Sequence, residues 1–361
     1  MAAMRRSAIA GFGDIRRGTN MLKLFSGAVM LAVGLSAGAQ ARDLTFASWG
    51  GNYQDAQRAA FFKPFAAQKG ISFAEDTYLG GLADIKAMAE TGQVKWDLVM
   101  VERADLILGC DEGLFEKLDW AKLGAADLLP TAIHPCGAGA VVVSYGIGYN
   151  KNGAGKAPQT WADFWDLKTW PGKRGLRAGP KMNMELALIA DGVAPADVYK
   201  VLATPEGVDR AFRKLDEIKP SLQFWDAGAQ PVDWLSTGNV AMSSAYNGRI
   251  SNAVADGKPL GFVWTNNIYG MDSWAIPAKA PNKELAMEFI AFANTPAPQA
   301  EFPKYIPYGT SNVKAADLMA PDLRANLPAG VNMDTALFMD DVFWADHFDQ
   351  ISVRWNNWAT Q

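Results

Sequence analysis

YGMDSWAIP, residues 269–277, sets one carboxylate, Asp272, in an otherwise apolar run that reads as extended backbone. It ends shortly before Asn282, which caps a helix expected over 283–294. A comparable extended run, AVVVSYGIGY at 140–149, comes earlier in the chain. The stretch between them reads as an α/β block of its own. In it Thr160 caps a helix at WADFWDL, 175–177 is a strand, 184–191 a helix, and Thr204-Pro205 opens a helix over 206–218. Residues 222–225, 240–246 and 261–264 then read as strands. Two long crossovers with an α/β block between them point to two lobes joined by two hinge strands, the chain returning at the end to the lobe it left.

Upstream of the first crossover the chain alternates strand-like and helix-like segments: 44–49, 53–69, 71–78, 82–90 and WDLVMV at 96–101. This βαβαβ order implies a mostly parallel sheet with helices on both faces. Residues 1–41 lie apart from it. Lys23 leads into the apolar run 24–35, and Ala39-Gln40-Ala41 has the small-x-small form of a signal-peptidase site. That run is shorter than the ~20 residues a spanning helix needs, so the expectation is a periplasmic protein cleaved after Ala41. The whole chain carries −4, and five cations against Asp14 give the leader +4, leaving −8 on the remainder. An acidic chain with no Lys/Arg run argues against nucleic acid as a partner. Cys110 and Cys136 both fall in the exported part, where an even count reads as one disulfide; two separate buried thiols are the alternative.

Three strand ends share a design. Trp49 precedes Gly50-Gly51, Tyr78 precedes Gly80-Gly81, and Tyr246 precedes Asn247-Gly248, each leading into a helix. Open α/β sheets bind ligands at the carboxyl ends of their strands, and helix starts present N–H groups to anionic atoms. Arg249, however, is a cation in a first helical turn, where the helix dipole favours anions. A bound carboxylate would explain it, and so would a protein carboxylate such as Asp226 or Glu185. Asp272 poses the converse question, because a buried carboxylate without a partner is costly. Backbone N–H groups or a nearby Arg would satisfy it, and so would a ligand ammonium flanked by aromatic rings. Glu185 sits near a helix start, facing either the cleft or solvent. The two histidines lack metal spacing, and no nucleophile elbow, phosphate loop or dinucleotide fingerprint is present. An enzyme or a metal carrier would need one of these.

The segments FASWGGNYQDA, KWDLVMV, TWADFWD, SSAYNGRI and above all GMDSWAIPAKAPNKELAMEFIAFA resemble the periplasmic solute-binding proteins of the spermidine/putrescine class of ABC importers. The resemblance covers the mature chain. It implies a two-lobed type II periplasmic binding protein fold, α/β, with lobe 1 formed by 42–145 plus 275–361 and lobe 2 by 146–274. It also implies a monomer without cofactor or metal that delivers a small solute to an inner-membrane permease. Trp49 and Tyr246 fall on the aromatic walls of the family's amine site, and Asp272 on the carboxylate that holds an amine. Gly51, Tyr53, Tyr78, Glu185, Trp225, Gly248, Arg249 and Tyr269 complete the candidate ligand-binding set. The acidic pair of the polyamine binders falls here on Gly179 and Met182, so a second ligand ammonium would lack its partner. With Arg249 added, the site suits a zwitterion and resembles the γ-aminobutyrate-binding branch. A small ω-amino acid is therefore expected, with spermidine or putrescine as the alternative and a secreted enzyme on a similar scaffold as the remote one.

Overall fold

The computed structural model describes residues 44–153 and 155–360; the expected leader and its cleavage point lie outside them. Eleven strands form one sheet: β1 (Leu44–Ser48), β2 (Phe73–Thr77), β3 (Leu98–Glu102), β4 (Ile133–His134), β5 (Gly137–Asn150), β6 (Arg174–Arg177), β7 (Leu222–Trp225), β8 (Met242–Tyr246), β9 (Leu260–Ala275), β10 (Gly309–Thr310) and β11 (Leu337–Phe338). The principal order is β2-β1-β3-β9-β5-β8-β6-β7. In one wing β1 pairs in parallel with β2 and β3; in the other β6 pairs in parallel with β7 and β8. Short strand–helix–strand steps produce those parallel pairs, as the alternation in sequence predicts.

β5 and β9 run through the middle and serve both wings. One end of β5 pairs Gly137–Val143 with the 270–275 part of β9; the other pairs Ile147–Asn150 with the 260–263 part, with a break in register between Tyr145 and Ile147. β9 is thus one strand from Leu260 to Ala275, where the sequence reading has two separate extended segments at 261–264 and 270–277. The irregularity that suggested a gap is local: Asn266 lies at φ 53, and the Trp161 indole donates to its carbonyl.

Each wing has its own core. Phe46, Phe61, Phe62, Trp274 and Phe289 pack in the first, and the Trp274 indole donates to Asn294. Trp161, Phe164, Leu188, Phe212 and Trp225 pack in the second. The closing helix Asp341–Ala359 sends Trp355 and Trp358 onto Phe212 and Phe224 of that second core, and Trp358 donates to Asp216. The expected lobe division counts this helix with the first lobe; its aromatic face packs on the second. Local signals behave as read. Thr160 forms a capping box with Asp163, and Thr204 caps Pro205–Asp216.

Cys110 and Cys136 form a disulfide that ties helix Arg103–Asp111 to the start of β5. They are 26 positions apart, and closing such a loop stabilises by about 3–4 kcal/mol on the chain-entropy account. Changing both cysteines to alanine should lower the unfolding free energy by roughly that amount, read as an earlier urea midpoint with an unchanged slope; an unchanged midpoint would remove the disulfide from the stability of the fold.

Candidate functional site

The carboxyl ends of β1, β3, β6, β7 and β8 converge on a cavity, partly open to solvent, where the two wings meet. Seven of the expected site residues line it: Trp49, Tyr53, Tyr78, Trp225, Tyr246, Arg249 and Asp272. Trp49 and Tyr78 stack with ring centroids 5.0 Å apart, and Tyr246 meets Trp225 edge-on. The stack depends on Gly80. At φ +93 it adopts a conformation that suits glycine, and a Cβ there would press to 3.0 Å from the Trp49 ring.

Asp272 stands three residues before the end of β9 and is 8% exposed. Its Oδ2 accepts from Trp49 Nε1 at 3.2 Å and from the Tyr53 hydroxyl at 3.1 Å, and no cation among the described residues forms an ion pair with it. Burial, and then the charge of Glu102, push this carboxyl up to about 7; the bonds from Tyr53 and Trp49 pull the other way. The antiparallel register sets Glu102, the last residue of β3, directly opposite Asp272. Glu102 behaves differently because Arg177 lies at 2.7 Å and Lys181 at 2.8 Å. Burial opposes its charge, but the two cations outweigh burial and hold it well below the usual carboxylate range.

Arg249 stands in the first turn of helix Asn247–Ala255 and is 6% exposed. Nη1 donates to Asn52 at 3.0 Å and Nη2 approaches the Gly50 carbonyl at 3.5 Å. Neither Asp226, Glu185 nor any other carboxylate among the described residues forms an ion pair with it. The Arg249 side chain passes close to two glycines, Gly51 and Gly228. Added Cβ atoms would come within 3.0 Å of it at Gly51 and 2.9 Å at Gly228.

Four expected residues stand elsewhere or act differently. Gly51 borders Arg249 and does not line the cavity. Gly248 is a packing glycine: a Cβ there would lie 2.7 Å from Ile306 and Tyr308. Tyr269 packs on Phe338, away from the cavity. Glu185 points into the core beneath the closing helix, where its Oε1 accepts from Tyr199 at 2.9 Å and from Trp344 at 2.6 Å. The sequence reading placed it at the cleft or in solvent; the helix Asn183–Ala190 is buried on nearly all sides, so it has neither. The cavity also includes residues outside the expected set: Glu102, Arg177, Tyr308 and the 226–228 loop. Among the described residues there is no group of His, Cys, Asp and Glu fit to hold a metal, and no helix long and apolar enough to cross a membrane.

The cavity thus offers one buried carboxylate and one buried guanidinium without ionic partners among the described residues, set among aromatic rings. That is a site for a small solute bearing an ammonium and an anion. The comparisons with known proteins agree in kind. The family model described as bacterial extracellular solute-binding protein matches residues 60–338. A γ-aminobutyric acid-binding protein of Pseudomonas aeruginosa is 46% identical over 92% of this chain and 95% of its own length. The spermidine/putrescine-binding periplasmic protein of Escherichia coli is 26% identical over 81% of this chain and 85% of its own. Among solved structures, a GABA receptor superposes with a TM-score of 0.79 at 34% identity, covering 88% of this chain and 98% of that one.

Proposed function

We propose that this chain, which belongs to the bacterial extracellular solute-binding protein family, captures a small ω-amino acid of the γ-aminobutyrate kind for import through an ABC permease. The ligand ammonium sits on Asp272 between Trp49, Tyr53 and Tyr78, and its carboxylate on Arg249. One observation carries this: two buried opposite charges without ionic partners among the described residues line the same cavity. An ammonium on a desolvated carboxylate gains charge-assisted hydrogen bonds, and a guanidinium takes a carboxylate bidentately. The rings add cation–π attraction of ~0.5–2 kcal/mol each. The names of the 46% identical relative and of the solved receptor support the same ligand class.

The cycle has no bond-making step. The wings close over the solute, and the permease recognises the closed form. We place the lobe boundaries where β5 and β9 change partners, with 44–145 and 272–340 in one lobe and 146–271 with the closing helix in the other. The protein acts as a periplasmic monomer after removal of its leader at Ala41. A second reading, a linear polyamine, draws on the adjacency of Asp272 and Glu102; Arg249 and the two cations on Glu102 oppose it.

A thermal-shift panel of ω-amino acids, polyamines, opines and betaines tests the reading. γ-Aminobutyrate or a near homologue should raise the melting temperature most, and calorimetry should recover the ligand unchanged. A panel in which only polyamines stabilise would overturn the ω-amino acid assignment.

A further inference from the structure

We propose that Lys181 sets the charge class of the ligand: by seating its own ammonium on Glu102, it fills the place that the second ammonium of an α,ω-diamine would take. The inference rests on the amine-binding reading of the cavity given above. Two buried carboxylates line this cavity, Asp272 and Glu102, on directly opposed residues of neighbouring strands, while the third, Asp226, is exposed. They are close enough for the charge of Glu102 to help raise the Asp272 carboxyl. Two buried carboxylates offer a ligand with two ammonium groups a charge-assisted partner for each. One of them is already occupied from within the chain.

The occupant is built in firmly. Lys181 is 9% exposed, with Nζ 2.8 Å from Glu102 Oε2. It comes from the turn between β6 and helix Asn183–Ala190, which crosses from the second wing to reach a carboxylate of the first. In that turn Met182 holds φ 70 and ψ −40, a conformation side chains rarely adopt. The surroundings enforce it: Asn183 Nδ2 donates to the Arg177 carbonyl at 2.6 Å and the Gly179 carbonyl at 2.7 Å. Beyond the cluster lies a second space of about 1170 Å³, open to solvent and lined by Glu102, Arg177 and Lys181 among others. The ion cluster is therefore a partition between two spaces as well as a charge balance. Arg177 alone neutralises Glu102. The added lysine, which Asp105 also faces, keeps a cation on Glu102 where a second ligand ammonium would have to sit, and leaves a single ammonium on Asp272 undisturbed.

Removing the lysine charge should turn a discriminating site into a permissive one, because specificity of this kind comes from a repulsive element. The readout is the ratio of putrescine affinity to γ-aminobutyrate affinity, by calorimetry at low ionic strength. We expect the wild-type protein to favour γ-aminobutyrate and Lys181→Met to shift the ratio toward putrescine by about tenfold or more. Lys181→Arg keeps the charge and should keep the wild-type ratio, which a purely structural role for the lysine would not ensure. Should the methionine variant fail to fold, Lys181→Gln makes the same change of charge while keeping a donor to Glu102. An unshifted ratio in the folded neutral variant overturns the proposal, as does a wild-type protein that binds both ligands equally. If the wild-type protein binds no amine at all, the functional reading itself is wrong, and that outcome appears before any variant is made.

Discussion

Arg249→Ala is expected to weaken γ-aminobutyrate binding by about a hundredfold or more, since truncating one partner of a buried charge pair costs roughly 2–5 kcal/mol. Putrescine, which has no carboxylate, should lose far less. Calorimetry with both ligands separates ligand recognition from general damage, because Arg249 also bonds to Asn52 and Gly50 across the wings. Equal losses for the two ligands would assign Arg249 to closure alone. Arg249→Lys should fall between, keeping charge but losing the planar fork that matches a carboxylate.

Asp272→Asn should weaken every amine ligand, by about a hundredfold at neutral pH on the same scale. The amide oxygen still accepts from Trp49 and Tyr53, so the fold should persist. Unaffected binding would remove Asp272 from the site. The same residue governs pH dependence. Without ligand its carboxyl titrates near 7, raised first by burial and then by Glu102. A ligand ammonium stabilises the charged form, so binding below pH 7 must release a proton, and affinity should fall by up to about tenfold per pH unit. Proton release, measured in buffers of different ionisation enthalpy, should vanish in Asp272→Asn. Stability of the unliganded protein runs in the opposite sense. A carboxyl raised on folding contributes stability that is present below its unfolded value and is lost as pH rises through its folded value. Burial raises Glu185 and Asp341 to about 7 as well, so all three work in this direction. The melting temperature of the unliganded protein should therefore decline from about pH 5 toward 7.5. Glu102, held low by its cations, acts the other way only in strong acid.

The periodicity of the chain revealed the βαβ order, the two crossovers and the caps at Thr160 and Thr204, because each depends on neighbouring residues alone. It also marked three strand ends, and all three aromatics, Trp49, Tyr78 and Tyr246, meet in one cavity. Glu102 and Arg177 were within reach of the same rule, since each is the last residue of its strand and ligands gather at such ends. Neither carries the aromatic ring that marks the other three strand ends. Tyr308 carried no local mark at all; its place depends on Gly248 letting helix Asn247–Ala255 pack against it. Glu185 misled because a carboxylate at a helix start reads as exposed, and only tertiary packing shows that helix enclosed on nearly every side.

β9 is the neighbour of both β3 and β5, yet it begins at Leu260, long after either has been synthesised. Until that segment arrives, β3 has an open edge on one side, and Asp272 has no place beside Glu102. The order in which the chain emerges is thus not the order in which the molecule is finished. Contacts across so many residues carry a large closure entropy and form late. A chain stopped before residue 260 would hold most of the aromatic wall but not the strand that joins the two halves of the sheet or the carboxylate that receives the amine. The strand that joins the halves of the sheet and the carboxylate for the amine arrive in the same step.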